Sequence, residues 1–192
     1  MNRNINTSDT TLPILGITAY SGTGKTTLLK QVIPLLRQQH IRIGLIKHTH
    51  HNMDVDKPGK DSYELRKAGA TQTLVASQQH WALMTETPDL PELNLYYLAG
   101  QFDANSLDLI LVEGFKQEPI PKIALYRDGL NRNSIFRNNI NLGFDEILDP
   151  YVLAIASDIP LATPLPQLDI NQPEQIAAFI AEWLYSQKTI RY

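Results

Sequence analysis

The sequence predicts an α/β fold in which a mostly parallel sheet is flanked by helices and elaborated by one β-hairpin. Short apolar runs that resemble strands alternate along the chain with stretches whose apolar residues recur at helical spacing, and this alternation is typical of parallel sheets. A Gly-rich turn also separates the first strand-like run from the first helical stretch. The predicted fold class rests on these two observations.

Length and composition predict a single globular domain. The chain has 192 residues, of which 43% are hydrophobic and 19% are charged, and these are ordinary values for a globular protein. At roughly 150 residues per domain, this length favours one domain. We therefore assign residues 12–188 to a single domain and the polar residues 1–11 to a disordered leader, which lacks the apolar region of a secretory signal.

Charge and residue usage exclude several classes of function. With 17 Lys and Arg against 20 Asp and Glu, the net charge is −3, which provides no positive field for a nucleic-acid partner. The chain has no Cys, which excludes a disulfide scaffold, a thiolate metal site and a Cys nucleophile. No apolar run approaches the ~18 residues that a membrane span requires. We expect a cytoplasmic protein that binds neither nucleic acid nor membrane.

The first predicted elements are a strand, a helix and a second strand. Residues 13–19 are apolar and precede the Gly-rich turn, so they are predicted as a strand. A helix begins at Lys25 and is expected to kink near its end at Pro34, and residues 41–47 form the next strand. The buried face of this helix comprises Leu28, Leu29, Val32, Ile33 and Leu36.

A short helix and a hairpin are predicted next. The polar segment after residue 47 leads into a short helix that Gly69 can terminate. Residues 72–77 and 80–85 are strand-like runs separated by a tight turn, which predicts a hairpin. Residues 91–101 follow with the spacing of a helix.

Three further strands and an irregular loop are predicted in the second half. Residues 107–112 are nearly all apolar, which is typical of a central strand buried on both faces. Residues 120–126 are also strand-like, but Pro121 favours an edge position. Residues 131–144 lack a period and are rich in Asn, so we expect an irregular surface loop. Residues 151–156 are the last predicted core strand.

The chain is predicted to end in an amphipathic helix. Residues 160–166 form an irregular connection, and Asn171 ahead of Pro173 marks a helix start. The face that this helix buries comprises Ile176, Ala177, Ile180, Trp183 and Leu184.

The most informative segment is AYSGTGKT at residues 19–26, a Walker A phosphate loop placed between a strand and a helix as that motif requires. Gly22 and Gly24 allow the backbone to curl so that successive N–H groups face one anion. Lys25 is predicted to reach the β- and γ-phosphates and the Thr26 hydroxyl to bind Mg²⁺. The alternative is a Gly-rich turn that binds no ligand.

A P-loop also needs an acidic partner for its metal at the end of a neighbouring strand. The run LILVEG at residues 109–114 supplies apolar residues followed by Glu113, as a Walker B strand would. Glu113 replaces the commoner Asp, and its longer side chain could hold Mg²⁺ through water or orient an attacking water. The alternative is a solvated acid at a strand end.

The second predicted strand ends in a cluster of basic residues. It comprises Lys47, His48, His50 and His51. The carboxyl edge of a parallel sheet is where ligands gather, and three interpretations remain open: a Zn²⁺ site, a phosphate or pterin ligand, and simple solvation. In the loop that follows, we expect Asp56, Asp61 or Ser62 to approach the Mg²⁺ side of a nucleotide.

Asp158 follows the last core strand and is a candidate for guanine selection. A carboxylate can accept hydrogen bonds from N1–H and N2–H of guanine, whereas N1 of adenine is itself an acceptor. The alternative is that Asp158 stabilises the turn before Pro160.

Taken together, these segments resemble the molybdopterin-guanine dinucleotide biosynthesis family MobB. The similarity runs from about residue 12 to residue 183 and is carried by AYSGTGKTTLLK, GLIKHTHH, DVDKPGKDSYELRKAGATQTLVASQQHWALMTETPD, LDLILVEGFK and AIASDIP. The resemblance implies a P-loop NTPase fold, a homodimer, GTP and Mg²⁺ binding with weak hydrolysis, and assistance to the MobA-type guanylyltransferase that joins GMP to molybdopterin. The residues that match the family's phosphate loop are Gly22, Gly24, Lys25, Thr26 and Thr27, and Ser21 and Thr23 lie within the same run. Glu113 matches the family's acidic residue at a strand end.

Two other functions remain open at this stage. The same loop could serve a small-molecule kinase, for which Arg132 and Arg137 in the irregular loop could form a lid. The protein could also be an adaptor that uses the bound nucleotide only as a structural ligand, without hydrolysis.

Overall fold

The computed structural model describes residues 11–49, 56–87, 93–128 and 148–189. Within it the chain forms two compact units, the first made of Met1–His48 and Asn94–Tyr192 and the second of Thr49–Leu93. The assignment of residues 12–188 to a single domain stays a prediction. The predicted loop at 131–144 and most of the predicted leader lie outside the described residues.

The secondary structure alternates between strands and helices. In chain order the elements are β1 (Ile14–Thr18), α1 (Lys25–Gln38), β2 (Ile43–Lys47), α2 (Asp61–Lys67), β3 (Gln72–Ala76), β4 (Trp81–Thr85), α3 (Leu95–Ala99), β5 (Leu109–Glu113), β6 (Lys122–Tyr126), β7 (Val152–Ser157), β8 (Gln167–Asp169) and α4 (Pro173–Thr189).

The first unit is built on a parallel sheet. Its six strands among the described residues follow the order β2-β5-β1-β6-β7-β8, and every neighbouring pair is parallel. The predicted α/β fold class is thereby confirmed. All five residues of β5 are buried, as a central strand with helices on both faces requires.

Helices cover both faces of this sheet. On one face, α1 and α4 pack their apolar residues against alternate residues of β1, β5, β6 and β7. On the other face, Leu95 and Ala99 of α3 pack against Ile110 and Val112 of β5. The faces predicted for α1 and α4 are the ones that pack against the sheet, because the 3.6-residue period aligns those apolar side chains toward it.

The second unit contains the predicted short helix and hairpin. Gly69 ends the α2 region with a φ of 115°, a conformation that glycine adopts without strain. Strands β3 and β4 pair antiparallel, with Leu74 opposite Leu83 and Ala76 opposite Trp81. Both predicted strands are therefore confirmed.

Two local predictions are wrong, and one short strand is missing from the predicted elements. Strand β6 lies between β1 and β7 rather than at an edge, because Pro121 precedes its first residue and removes no donor from the ladder. The helix predicted for 91–101 is shorter: residues 93–94 are not helical, and the Asn94 side chain accepts a hydrogen bond from the Tyr97 amide. Residues 160–166 are irregular, as predicted, but strand β8, which follows them directly, is absent from the predicted elements.

Helix α1 runs through Pro34 to Gln38 without interruption. Among the described residues, every helix is too short or too polar to cross a bilayer.

Candidate functional site

The candidate site lies where three neighbouring parallel strands end. Strands β2, β5 and β1 are adjacent in the sheet, so their carboxyl ends meet at one edge. The register pairs Lys47 with Glu113 across β2 and β5, and Ile17 with Glu113 across β1 and β5. This edge therefore brings the end of β5 next to the Gly-rich loop that follows β1.

The loop after β1 curls before α1 begins. Gly22 has a φ of 84° and Gly24 a φ of 96°, and a Cβ at either position would meet no atom within 4 Å. The glycines are thus required by backbone conformation rather than by space. Gly24 is the N-cap of α1, and the Thr23 hydroxyl donates to the Tyr20 carbonyl at 3.0 Å. The strand, turn and helix expected around a phosphate loop are all present.

Thr26, Glu113 and Lys47 form one hydrogen-bonded cluster. The Thr26 hydroxyl donates to Glu113, with Oγ1 3.1 Å from Oε1 and 3.3 Å from Oε2. The Lys47 ammonium lies 3.1 Å from each of the same two carboxylate oxygens and 3.3 Å from Thr26 Oγ1. The Glu113 side chain is 11% exposed, whereas that of Lys47 is 50% exposed.

The donors in this cluster fit a hard divalent cation. A carboxylate and a hydroxyl oxygen converge on one point beside the curled loop, and oxygen ligands of this kind suit Mg²⁺, which usually keeps several waters and also takes phosphate oxygens. Thr26 and Glu113 are the residues that would hold the ion.

Lys25 is directed back onto the loop. Its ammonium donates to the carbonyls of Ala19 and Tyr20 at 3.2 and 3.0 Å. Burial lowers the pKa of Lys25, and the neighbouring ammonium groups of Lys116 and Lys47 lower it further, while Glu113 raises it. An anion bound beside Lys25 would relieve this repulsion.

Lys116 is a basic residue of this site that none of the sequence motifs predicts. Its ammonium lies 5.4 Å from the centroid of the Tyr20 ring, within the range of a cation–π contact. The segment that carries Lys116 is anchored by the buried Lys122, whose ammonium donates to the Lys116 carbonyl at 2.6 Å and pairs with Asp149. The signal that could have found Lys116 is its place three residues after Glu113, just beyond the strand end.

The turn after β5 is closely packed against the end of β2. Gly114 has a φ of 106°, and a Cβ at this position would lie 2.7 Å from the Cβ of His48. The His48 amide donates to the Glu113 carbonyl at 2.8 Å, and the His48 ring stacks on Phe115 with 4.8 Å between centroids. His48 is therefore held by the turn that carries Glu113.

Asp158 follows β7 at the same edge of the sheet, but its carboxylate is already engaged. Oδ1 accepts a hydrogen bond from the Asp128 amide at 2.8 Å, and Oδ2 lies 3.8 Å from Nη1 of Arg127. These contacts tie Asp158 to the end of β6, whereas the side chain that bonds within the turn before Pro160 is that of Ser157, whose hydroxyl donates to the Ile159 carbonyl at 2.8 Å. Guanine selection by Asp158 stays a prediction.

The remaining predicted residues lie at other places in the chain. Ser21 and Thr27 are exposed on the loop and on the first turn of α1. Asp56 lies before α2, and Asp61 and Ser62 begin it, so all three belong to the second unit, and their approach to a nucleotide stays a prediction. In the part of the chain that the structure describes, no group of three or more His, Asp or Glu side chains converges as a metal site. The predicted residues outside the described ranges are His50, His51, Arg132 and Arg137.

Known proteins resemble this chain in both sequence and fold. Residues 14–148 match the family model described as MobB, molybdopterin guanine dinucleotide synthesis protein B. The molybdopterin-guanine dinucleotide biosynthesis adapter protein of Escherichia coli (strain K12) is 58% identical over 178 residues, which cover 93% of this chain and 97% of that protein. The adapter protein of the same description from Haemophilus influenzae is 52% identical over 174 residues, covering 91% and 90%.

Solved structures show the same fold. A crystal structure of molybdopterin-guanine biosynthesis protein B superposes with a TM-score of 0.68 at 23% identity, covering 90% of this chain and 99% of that one. The structure of Bacillus subtilis MobB superposes with a TM-score of 0.65 at 19% identity, covering 89% and 97%.

Proposed function

Because the chain belongs to the MobB family of molybdopterin guanine dinucleotide synthesis proteins, we propose that it is a GTP-binding accessory protein with weak GTPase activity. In this role it acts in the cytoplasm as a homodimer and assists a MobA-type guanylyltransferase that attaches GMP to molybdopterin. The observation that carries the proposal is the convergence of Lys25, Thr26 and Glu113 at the curled loop between β1 and α1.

The charges around the loop favour a polyphosphate ligand. Lys25, Lys47 and Lys116 lie close enough for the two other ammonium groups to lower the pKa of Lys25, and Glu113 is the acid that opposes them there. A triphosphate would neutralise this excess of positive charge and accept hydrogen bonds from the first turn of α1. Mg²⁺, when held by Thr26 and Glu113, supplies further neutralisation of the phosphate charge.

The same geometry supports slow rather than fast hydrolysis. Both oxygens of Glu113 face the Thr26 hydroxyl, where the two residues would hold Mg²⁺, so this carboxylate is poorly placed to orient an attacking water. Among the described residues near the loop, the cations are lysines, and a lysine lacks the planar, two-point contact of an arginine finger.

This observation also favours the second candidate function, an adaptor that binds nucleotide without hydrolysing it. The two candidates differ in one measurement. Glu113→Gln should abolish any hydrolysis that the protein shows. If the protein is an adaptor, nucleotide binding and assembly with the guanylyltransferase survive this change; if its role depends on GTPase activity, assembly or GMP attachment fails together with hydrolysis.

Calorimetric titration with GTP and Mg²⁺ tests the proposed ligand. We expect wild-type protein to bind GTP and Lys25→Ala to bind it roughly 10- to 100-fold more weakly, because a hydrogen bond to a charged group contributes about 1.5–3 kcal/mol. Lys30→Ala, an exposed lysine of the same helix, controls for the change in net charge. Titration with ATP measures the base preference, and the absence of heat with both nucleotides would refute the proposal.

A further inference from the structure

We propose that Lys47 is a tethered counter-ion that competes with the divalent metal for the oxygens of Thr26 and Glu113. This inference rests on the proposed function, because it concerns the metal that accompanies the nucleotide. Lys47 thereby sets how tightly the protein binds the metal, and it keeps Glu113 neutralised until the metal arrives.

The Lys47 ammonium occupies the place that a metal ion would take between Thr26 and Glu113, rather than the edge of the carboxylate. Its Nζ is equidistant, at 3.1 Å, from both oxygens of Glu113, so it lies in front of the carboxylate where both oxygens can share one cation. It is also 3.3 Å from Thr26 Oγ1. The ammonium thus contacts every oxygen through which Thr26 and Glu113 would hold a metal, and two cations cannot share that place.

The backbone builds this arrangement. Lys47 and Glu113 are register partners at the ends of the parallel strands β2 and β5, so their side chains leave the sheet side by side. The Glu113 carboxylate is largely buried and fixed, while half of the Lys47 side chain is exposed. Lys47 can therefore move aside on its flexible four-carbon stem, whereas Glu113 stays in place to receive the metal.

Removal of the ammonium is expected to strengthen metal binding in the absence of nucleotide. Mn²⁺ replaces Mg²⁺ as the probe, because the free ion can be followed by its paramagnetic resonance signal during a titration. We expect Lys47→Met to bind Mn²⁺ about twofold to fivefold more tightly than the wild type, the range that corresponds to losing one partly exposed ion pair. Lys47→Gln provides a second neutral variant if Lys47→Met folds poorly.

Three further variants test whether the tighter Mn²⁺ binding comes from the loss of the positive charge at Lys47. Lys47→Arg keeps a tethered cation and should bind Mn²⁺ no more tightly than the wild type. Lys188→Met changes the net charge equally at the opposite edge of the sheet, where Lys188 lies 3.4 Å from Asp108 just before β5, and it should leave Mn²⁺ binding unchanged. Adding Glu113→Gln to Lys47→Met should abolish the gain, because it removes the charged ligand.

The proposal is overturned if the two neutral variants bind Mn²⁺ no more tightly than the wild type, if neither binds it detectably, or if Lys47→Arg shows the same gain. These outcomes are separable from a failure of the proposed function. The Mn²⁺ titration contains no nucleotide, so protein that binds no GTP could still show competition by Lys47, and protein that binds GTP could show none.

Discussion

At the scale of single residues, Gly114 links the geometry of Glu113 to that of His48. Its positive φ disfavours any side chain, and the space that a Cβ would need is taken by the His48 Cβ at 2.7 Å. The same turn carries the Glu113 carbonyl that accepts the His48 amide. A change at Gly114 therefore disturbs two strand ends at once.

We expect Gly114→Ala to lower the free energy of unfolding by about 2–5 kcal/mol, the sum of left-handed backbone strain and overpacking. Urea denaturation measures this change. Gly59→Ala is the matched control, because Gly59 also has a positive φ, of 84°, but a Cβ added there would meet no atom within 4 Å; it should cost only about 1–2 kcal/mol. Equal losses in the two variants would show that the contact with His48 costs nothing.

The sequence predicts that Thr26 and Glu113 lie together, but it does not predict that Lys47 contacts both of them. Gly22, Gly24, Lys25 and Thr26 form a local pattern, since backbone conformation and helix initiation depend on neighbours in the chain. The contact between Lys47 and Glu113 joins residues 66 positions apart. It depends on β2 and β5 being adjacent, which no local pattern specifies.

At the scale of elements, Asp108 ties the start of β2 to the start of β5. Its Oδ2 accepts hydrogen bonds from the backbone amide of Arg42 at 3.0 Å and from its Nε at 2.9 Å. Lys188 of α4 lies 3.4 Å from Oδ1. The hydrogen bond from the Arg42 side chain lowers the pKa of Asp108 from 3.8 to about 2.

This pairing makes a pH-dependent contribution to stability. Because the pKa of Asp108 is lower in the folded protein, its contribution is fully present above about 3.8 and is lost as the pH falls through about 2. We expect Asp108→Asn to lower the free energy of unfolding by less than about 1 kcal/mol at pH 7, since the Arg42 side chain is 53% exposed and solvent screens the pair.

Urea denaturation at a series of pH values checks this expectation. The difference between Asp108→Asn and the wild type should shrink between pH 3.8 and about 2. Glu182→Gln on the exposed side of α4 is the control for removing a negative charge. A difference that stays constant down to the lowest pH would argue against an ionised Asp108 as its source.

The type of each element is easier to predict from this sequence than its boundaries or its position at the edge or centre of the sheet. Pro121 favours an edge position for strand β6, yet the strand pairs on both sides. The Pro121 carbonyl even accepts a hydrogen bond from Gly16 of β1 at 2.8 Å. Proline lacks only the backbone N–H donor and keeps its carbonyl acceptor, so a proline just before a strand is compatible with a central position of that strand. Strand β8 has three residues, too few for a periodic signal.

At the scale of the whole molecule, the hairpin of the second unit exposes an apolar face. Leu74, Trp81 and Leu83 are 59%, 67% and 47% exposed. The pairing of Leu74 with Leu83 and of Ala76 with Trp81 places these side chains on the same face of the two-stranded sheet. A contiguous exposed apolar face of this kind is typical of a protein–protein interface, which supports the proposed homodimer.

We expect Trp81→Lys and Leu83→Lys to shift the protein toward monomer, because each buries a charge in the proposed interface. Sedimentation velocity at several protein concentrations measures the change as at least a tenfold weaker self-association, equivalent to about 1.4 kcal/mol. Gln79→Lys, in the exposed turn of the same hairpin, adds a positive charge outside the face. If the wild type sediments as a monomer throughout, the homodimer proposal fails.

The sequence by itself determined the strand, curled loop and helix at residues 14–38, the hairpin and the acidic end of β5. These features follow from local physics: glycine at positive φ, apolar residues at the period of a strand or helix, and a helix N-terminus after the loop. Only the tertiary structure decided that β6 is central, that Lys116 approaches the loop, and that Lys47 contacts both Thr26 and Glu113. Those outcomes depend on strand order, because sheet neighbours are chosen by packing between segments that are distant in the chain.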